Sequence, residues 1–158
     1  MHANAFGLSL KVDKIDDFIA KTDEKLKDIE VEPLYYVDFI YSGDHINGEE
    51  ILEIGSAGQD LWGQDVDEPF VAVEKLKVKK SQVTIYSKKD DTIKISTNCG
   101  VDIMKFKATA AEVALFNENE IVTITLVGRC NANQWGGKTT PQIFIEEFQV
   151  DNKLKYDF

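Results

Sequence analysis

The chain has 158 residues, enough for one domain with a real core, and its 43% hydrophobic and 29% charged content is ordinary for a globular protein. No apolar run approaches the roughly 18 residues that a membrane span needs, and no charged-then-apolar leader precedes a cleavage site. We therefore expect a cytoplasmic protein with no membrane partner. Cys99 and Cys130 lack a metal-ligand spacing and are expected to be free thiols.

The net charge of −10 argues at first against a nucleic-acid binder, but the charge is unevenly distributed. Residues 1–68 hold 5 Lys and 17 acids and carry −12, whereas residues 69–149 hold 10 Lys and 1 Arg against 9 acids and carry +2. Such asymmetry predicts two structural units with different partners.

The first half of the chain has α+β character. The opening residues, His2 to Gly7, resemble a turn that would follow an earlier strand or loop, so we expect the tail of a larger protein. Val12 to Ile29 have the spacing of an amphipathic helix, and Tyr35 to Tyr41 are rich in β-formers. A second short helix is expected around Glu49 to Ile54, and residues 61–69 are expected to form a linker.

From Phe70 onward the pattern changes to the period-two alternation of strands. The predicted strands are Phe70–Val78, Gln82–Ser87, Thr92–Thr97, Val101–Lys107, Ile121–Arg129 and Pro141–Val150. A single short helix, Ala108–Phe116, lies between the fourth and fifth strands. The sequence therefore predicts an α+β remnant followed by an all-β, OB-fold-like barrel of five or six strands with one short helix.

The first barrel strand carries three lysines at alternate positions, Lys75, Lys77 and Lys79, which would share one face. Such a row can follow the phosphates of an extended single strand, and it can equally be a solvated outer face. Four further cations could extend the row: Lys88, Lys89, Arg129 and Lys138.

Aromatic residues offer candidate stacking surfaces. Tyr86 and Phe106 either stack bases or belong to the core. Trp135 lies in the predicted hairpin loop of residues 133–142, next to Asn133, whose amide can hold such a loop closed. We expect Trp135 to be a lid over the barrel end, with a role as an exposed stacking platform as the alternative.

No catalytic centre is visible in the sequence. His45 stands alone in a predicted turn, and there is no nucleophile elbow, phosphate-binding loop or metal-ligand cluster. We therefore expect no catalytic residue, no metal ligand and no bound cofactor in this chain, and no enzymatic turnover by it.

Three segments, in this order, resemble RecJ-like single-stranded-DNA exonucleases of the DHH phosphoesterase superfamily. The opening is similar to that superfamily's G-G-H-x-x-A-x-G signature at His2, Ala5 and Gly7. The linker is similar to L-x-P-F-G-x-G-N-P-E-P at Gly63, Glu68 and Pro69, with Trp62 in the place of Phe, and departs from it at residues 65–67. The hairpin matches N-x-W-x-G followed by P-Q at Asn133, Trp135, Gly137, Pro141 and Gln142.

The resemblance implies a domain organisation. Residues 1–30 would end the DHH-associated domain, 31–68 would be a connecting α/β segment, 69–150 an OB-fold domain and 151–158 a tail. The catalytic DHH domain, which binds Mn²⁺ or Mg²⁺, would be absent here, and His2 would lie near the substrate in the parent protein.

The resemblance also implies a function. The barrel would hold single-stranded DNA without sequence preference, while the parent protein degrades the strand from its 5′ end. The alternative is a structural or protein-interaction module that braces the nuclease core or docks a helicase or single-strand-binding protein.

Overall fold

The computed structural model describes residues 7–29, 34–57, 61–62, 66–87 and 91–151. The chain divides into two compact units, Met1–Leu34 and Tyr35–Phe158. In the first unit, a three-residue 3₁₀ helix, Val12–Lys14, continues into helix α1, Ile15–Leu26. The predicted helix is thus present but ends three residues early, and no residue of α1 is buried.

The second unit is built on one seven-stranded sheet. Its strands are β1 (Phe39–Ser42), β2 (Phe70–Lys79), β3 (Val83–Ser87), β4 (Asp91–Ser96), β5 (Asp102–Lys105), β6 (Ile121–Trp135) and β7 (Lys138–Val150). Two helices accompany them: α2 (Gly48–Ser56) and α3 (Ala110–Glu118). None of the helices in the described ranges is long and apolar enough to cross a membrane.

The strand order β1-β2-β6-β7-β5-β4-β3 closes the sheet into a barrel. Strands β2 and β3 are joined by a 3₁₀ turn of three residues, Lys80–Gln82, and together act as one bent first strand. Their two ends pair with different neighbours, β2 with β6 and β3 with β4, so the ring of strands is complete. The parallel pairing of β5 with β7 and the helix α3 between β5 and β6 complete a five-stranded OB topology. The predicted fold class is confirmed.

Alternating side chains of the barrel strands fill its core. On β6 the inward residues Val122, Ile124, Leu126 and Cys130 are buried, and their outward neighbours are more exposed. Because the sequence alternates in the same way, the strands were predictable from their period. Strands β6 and β7 are longer than predicted, since their pairing continues to Trp135 and Lys138 through the segment expected to be a loop.

Residues before the barrel strands share the same core. Strand β1 pairs in parallel with β2, and Tyr41, Ile46 and Ile51 lie in the same buried cluster as the barrel side chains. Helix α2 packs closely on β6, because a Cβ at Gly55 would lie 2.5 Å from the carbonyl carbon of Asn131. The domain boundary at residue 68 stays a prediction, although β1 and α2 belong to the compact unit of the barrel.

The two thiols lie in different surroundings, which predicts different reactivity. Cys99 is exposed in the turn between β4 and β5, whereas Cys130 faces the core, where burial, with a smaller contribution from the Glu68 charge, raises its pKa to about 12.

Only a thiolate attacks a disulfide reagent, and at pH 8 about one Cys130 in 10⁴ is ionised. We expect one thiol per native chain to react rapidly with Ellman's reagent and the second only after unfolding. A Cys99→Ser variant should lose the rapid phase, and rapid reaction of two thiols in the native protein would contradict the assignment.

Candidate nucleic-acid interface

Three candidate lysines follow β2 on the outer face of the barrel. Lys75, Lys77 and Lys79 are all exposed, while Leu76 and Val78 between them are buried. Lys77 lies opposite Thr123 and Lys79 opposite Ile121, at the start of β6. None of the three makes an ion pair with another described residue. We call these residues the lysine strand.

A β-bulge interrupts the even spacing that was predicted for the lysine strand. The pairing of β2 with β6 shifts between Val73 and Leu76, so Glu74 and Lys75 together lie opposite Thr125, and Lys75 has a φ of 55°. The three lysines still share the exposed face, but the strand pairing is irregular at Lys75.

Contacts from three distant segments hold the bulge. The Lys75 backbone N–H donates to Thr125 Oγ1 at 3.2 Å, and that hydroxyl donates to Asp151 Oδ1 at 3.0 Å. Gly43 N–H donates to the carbonyl of Glu74 at 2.7 Å. A Cβ on Gly43 would lie within 2.8 Å of three backbone atoms of Lys75 and Leu76, so only glycine fits there. The bulge is consequently specified by residues far from it in sequence.

The hairpin between β6 and β7 projects Trp135 into solvent. Gly136 and Gly137 have φ values of 59° and 77°, the pattern of a two-residue type I′ turn, and Trp135 pairs directly with Lys138. The Trp135 side chain is 84% exposed, so the predicted lid over the barrel end is wrong. Asn133 lies two residues earlier on the same strand and pairs with Thr140. We call Asn133, Trp135 and Lys138 the hairpin tip.

A second exposed aromatic group lies near the start of β4. Tyr86 is 49% exposed and pairs with Thr92, so it is not a core residue. Phe106 is 48% exposed and packs edge-on against Phe144, with ring centroids 5.1 Å apart. The next residue, Lys107, is also exposed, and Ala108 N–H donates to Asp91, which places this turn beside β4.

The sequence offered Phe106 as a stacking surface or a core residue, and it gave no signal for Lys107. No local signal distinguishes Lys107 from other turn lysines, whereas Phe106 was recognisable as an aromatic at the end of a strand. The predicted Lys88 and Lys89 fall outside the described residues, as does His2.

Arg129 is ion-paired and so is not a free cation, and its assignment to the interface stays a prediction. Its guanidinium donates from Nη1 to Glu68 Oε2 at 2.7 Å, and its Nε lies 3.1 Å from Glu146 Oε1. The guanidinium also lies over the Phe70 ring, 4.6 Å from its centroid. The Glu68 hydrogen bond raises the pKa of Arg129 further above its ordinary value, so the group is permanently charged and already paired.

The ion pair with Arg129 gives Glu68, at the end of the linker, a structural role. Glu68 was noticed only as a match to a motif, and the structure shows that it fixes the end of the linker to β6. The two partners are 61 residues apart, and the connection is invisible in the sequence because no local pattern reports it.

The structure does not bring the candidate residues together into one groove. Thr123, beside Lys77, and Trp135 are twelve residues apart on β6, which is about 40 Å of strand length and an upper limit for their distance through space. Between them on the outer face lies Arg129 with its two glutamates, and Lys94 is likewise paired with Asp102 at 2.7 Å. The lysine strand and the hairpin tip therefore lie toward opposite ends of β6, with the ion-paired Arg129 between them along that strand.

Within the described ranges, no group of three or more His, Cys, Asp or Glu side chains is placed to hold a metal ion. The open pocket at the N-terminal end of α2 has a volume of about 560 Å³ and contains His45, Glu49 and Cys99 on its lining. Its asparagine, Asn47, already accepts hydrogen bonds from the N–H groups of Glu49 and Glu50 as the helix cap.

The strand order and the single helix between β5 and β6 define an OB-fold domain. The structure of RecJ from Thermus thermophilus in complex with Mn²⁺ is similar to this chain, with a TM-score of 0.60 and 11% sequence identity. The match covers 94% of this chain and 21% of the RecJ chain. At that identity the likeness shows the fold alone.

Sequence comparison gives the family. The model of the RecJ OB domain matches residues 37–147, and the chain belongs to this family. It is 30% identical over 154 residues to YorK of the SPbeta prophage in Bacillus subtilis, named as a candidate single-strand DNA-specific exonuclease, and equally to yorK of Bacillus phage SPbeta. The chain spans about a quarter of each relative, because the matches cover 94% of this chain and 26% of theirs.

Proposed function

We propose that the barrel binds single-stranded DNA without sequence preference, as the OB-fold part of a RecJ-like exonuclease that degrades DNA from the 5′ end. The observation that carries this proposal is the combination of exposed lysines free of ion pairs with exposed aromatic side chains on one barrel. Backbone-tracking cations and base-stacking rings are the two elements of sequence-independent single-strand binding.

The described residues suggest which contacts act. Six candidate lysines remain when the ion-paired Arg129 is left out, and four of them lie in the described ranges: Lys75, Lys77, Lys79 and Lys138. Each phosphate neutralised adds about 0.7 to the salt slope of single-strand binding, so four contacts give a slope near −3. Tyr86, Phe106 and Trp135 supply the rings, with Lys88 and Lys89 as further proposed contacts.

The parent chemistry belongs to the same proposal. Phosphodiester hydrolysis would be carried by a separate DHH domain holding Mn²⁺ or Mg²⁺, with His2 near its substrate and with no turnover by this chain alone. A cytoplasmic location is proposed as well, in keeping with two cysteines that are both free.

Charge reversal on the lysine strand tests DNA binding. A Lys75→Glu, Lys77→Glu double variant should weaken binding of a fluorescein-labelled oligothymidylate at about 50 mM salt by tenfold or more, and should flatten the salt slope by about 1.4. The matched control is Lys11→Glu, Lys14→Glu, which makes the same charge change on exposed lysines of the first unit. Equal losses in the two variants would show a general charge effect and overturn the assignment.

The second candidate is a module that braces the nuclease core or docks a helicase or single-strand-binding protein. It is favoured by the −12 charge of residues 1–68. Under this alternative, the Lys75 and Lys77 variant would leave DNA affinity unchanged.

A further inference from the structure

Strand β1 is an exposed edge of the sheet with apolar side chains. Among the described strands it pairs only with β2, and it stands at one end of the strand order. Phe39 and Ile40 on the strand are 45% and 62% exposed, and Tyr36 just before it is 83% exposed. An edge strand presents unpaired N–H and C=O groups, and β1 carries neither lysine nor proline, so its protection against strand addition is its short length of four residues.

Carboxylates surround this edge. Asp38 precedes the strand and accepts a hydrogen bond from the Phe70 N–H at 3.0 Å, exposed Asp44 follows the strand, and Glu74 lies opposite Ser42 on the neighbouring strand β2. Glu50 of α2 accepts a hydrogen bond from the hydroxyl of Tyr41 at 3.0 Å. None of the four forms an ion pair with a described residue.

The sequence around β1 contains no compensating cation. From residue 28 to residue 74 there are 13 acids and no Lys or Arg. A second copy of this chain that docked through its own β1 would bring the same negative charge to the edge, and a nucleic acid would also be negative. Charge complementarity therefore selects a basic occupant.

We propose that β1 is a docking edge for an extended peptide segment of a partner protein, one that alternates apolar and basic residues. The peptide adds to the free edge of β1 as an eighth strand. Its backbone completes the hydrogen bonds of the edge, its apolar side chains contact Phe39 and Ile40, and its basic side chains meet Asp38 and Asp44 at the two ends of the strand. This surface does not depend on DNA binding by the barrel.

A model peptide tests the proposal on the full chain. A fluorescein-labelled ten-residue peptide of alternating valine and lysine should bind, measured by anisotropy, and the same peptide with glutamate for lysine should not. Amide hydrogen exchange should slow at residues 39–42 when the lysine peptide is present. Equal binding of both peptides, or protection elsewhere in the chain, would overturn the proposal.

Two matched variants locate the contact. Ile40→Lys places a like charge on the edge and should weaken binding of the lysine peptide at least tenfold. Ile121→Lys makes the same substitution at a residue of similar exposure, 60% against 62%, and should leave the affinity unchanged. Equal effects of the two variants, or a chain dimer that Ile40→Lys dissociates, would exclude a peptide partner at β1.

Discussion

Truncating Trp135 to alanine is expected to weaken single-stranded-DNA binding roughly 5- to 150-fold, because stacking of one base on an aromatic ring is worth about 1–3 kcal/mol. The ring is 84% exposed at the end of a regular two-glycine hairpin, so the protein loses little packing with it. The measurement is the anisotropy of a labelled oligothymidylate at low salt, with thermal unfolding recorded in parallel.

Tyr36→Ala is the matched control for Trp135→Ala, since Tyr36 is 83% exposed but lies within residues 28–74, which contain no Lys or Arg. Its removal should leave DNA affinity unchanged, and Trp135→Phe should retain most of the binding. If Trp135→Ala binds DNA as tightly as the parent chain, the hairpin tip is not a stacking surface. The lysine strand would then have to act with Tyr86 and Phe106 alone.

The separation of the two surfaces gives this test a further use. A short oligonucleotide can occupy either the lysine strand or the hairpin tip, whereas a longer one can reach both. We therefore infer that a variant changed at both Lys75 and Trp135 binds a long oligonucleotide more weakly than either single variant does. A short oligonucleotide contacts one surface at a time, so the affinity losses of the two single variants would then report on two independent sites.

The barrel was predictable from sequence because its information is local. Alternation of Ile93 with Lys94 and of Ile124 with Thr125 reports which side chain faces the core at each step of the strand. The Gly136-Gly137 pair is also a local signal for a tight hairpin turn, and it could have shown that β6 and β7 continue to the tip.

The interface was less predictable because its determinants are distant in sequence. The bulge at Lys75 depends on Gly43 and Thr125, and the ion pairing of Arg129 depends on Glu68 and Glu146. A count of lysines and arginines treats every cation as free. Only the folded chain shows that Arg129 and Lys94 are already paired.

Replacing Ile124 with alanine is expected to have the largest effect on stability, a loss of about 2–5 kcal/mol, because its side chain is fully buried and the cavity cannot close completely. The free energy of unfolding is measured by urea denaturation. The control is Ile121→Ala on the same strand, which removes the same atoms from a side chain that is 60% exposed and should cost no more than about 0.5 kcal/mol. Similar losses for the two variants would contradict the packing of β6.

A milder variant at the same position separates folding from binding. Ile124→Val should cost about 0.5–1.5 kcal/mol and keep the chain folded. Ile124 pairs with Leu76, directly after the bulge, and so lies beneath the lysine strand. If exposed ammonium groups carry DNA binding, Ile124→Val lowers the urea midpoint while DNA affinity stays constant. The Lys75→Glu, Lys77→Glu double variant lowers DNA affinity while the urea midpoint stays constant. A loss of DNA affinity in Ile124→Val would mean that binding depends on the precise form of the bulge, with Lys75 held in place by the core below it.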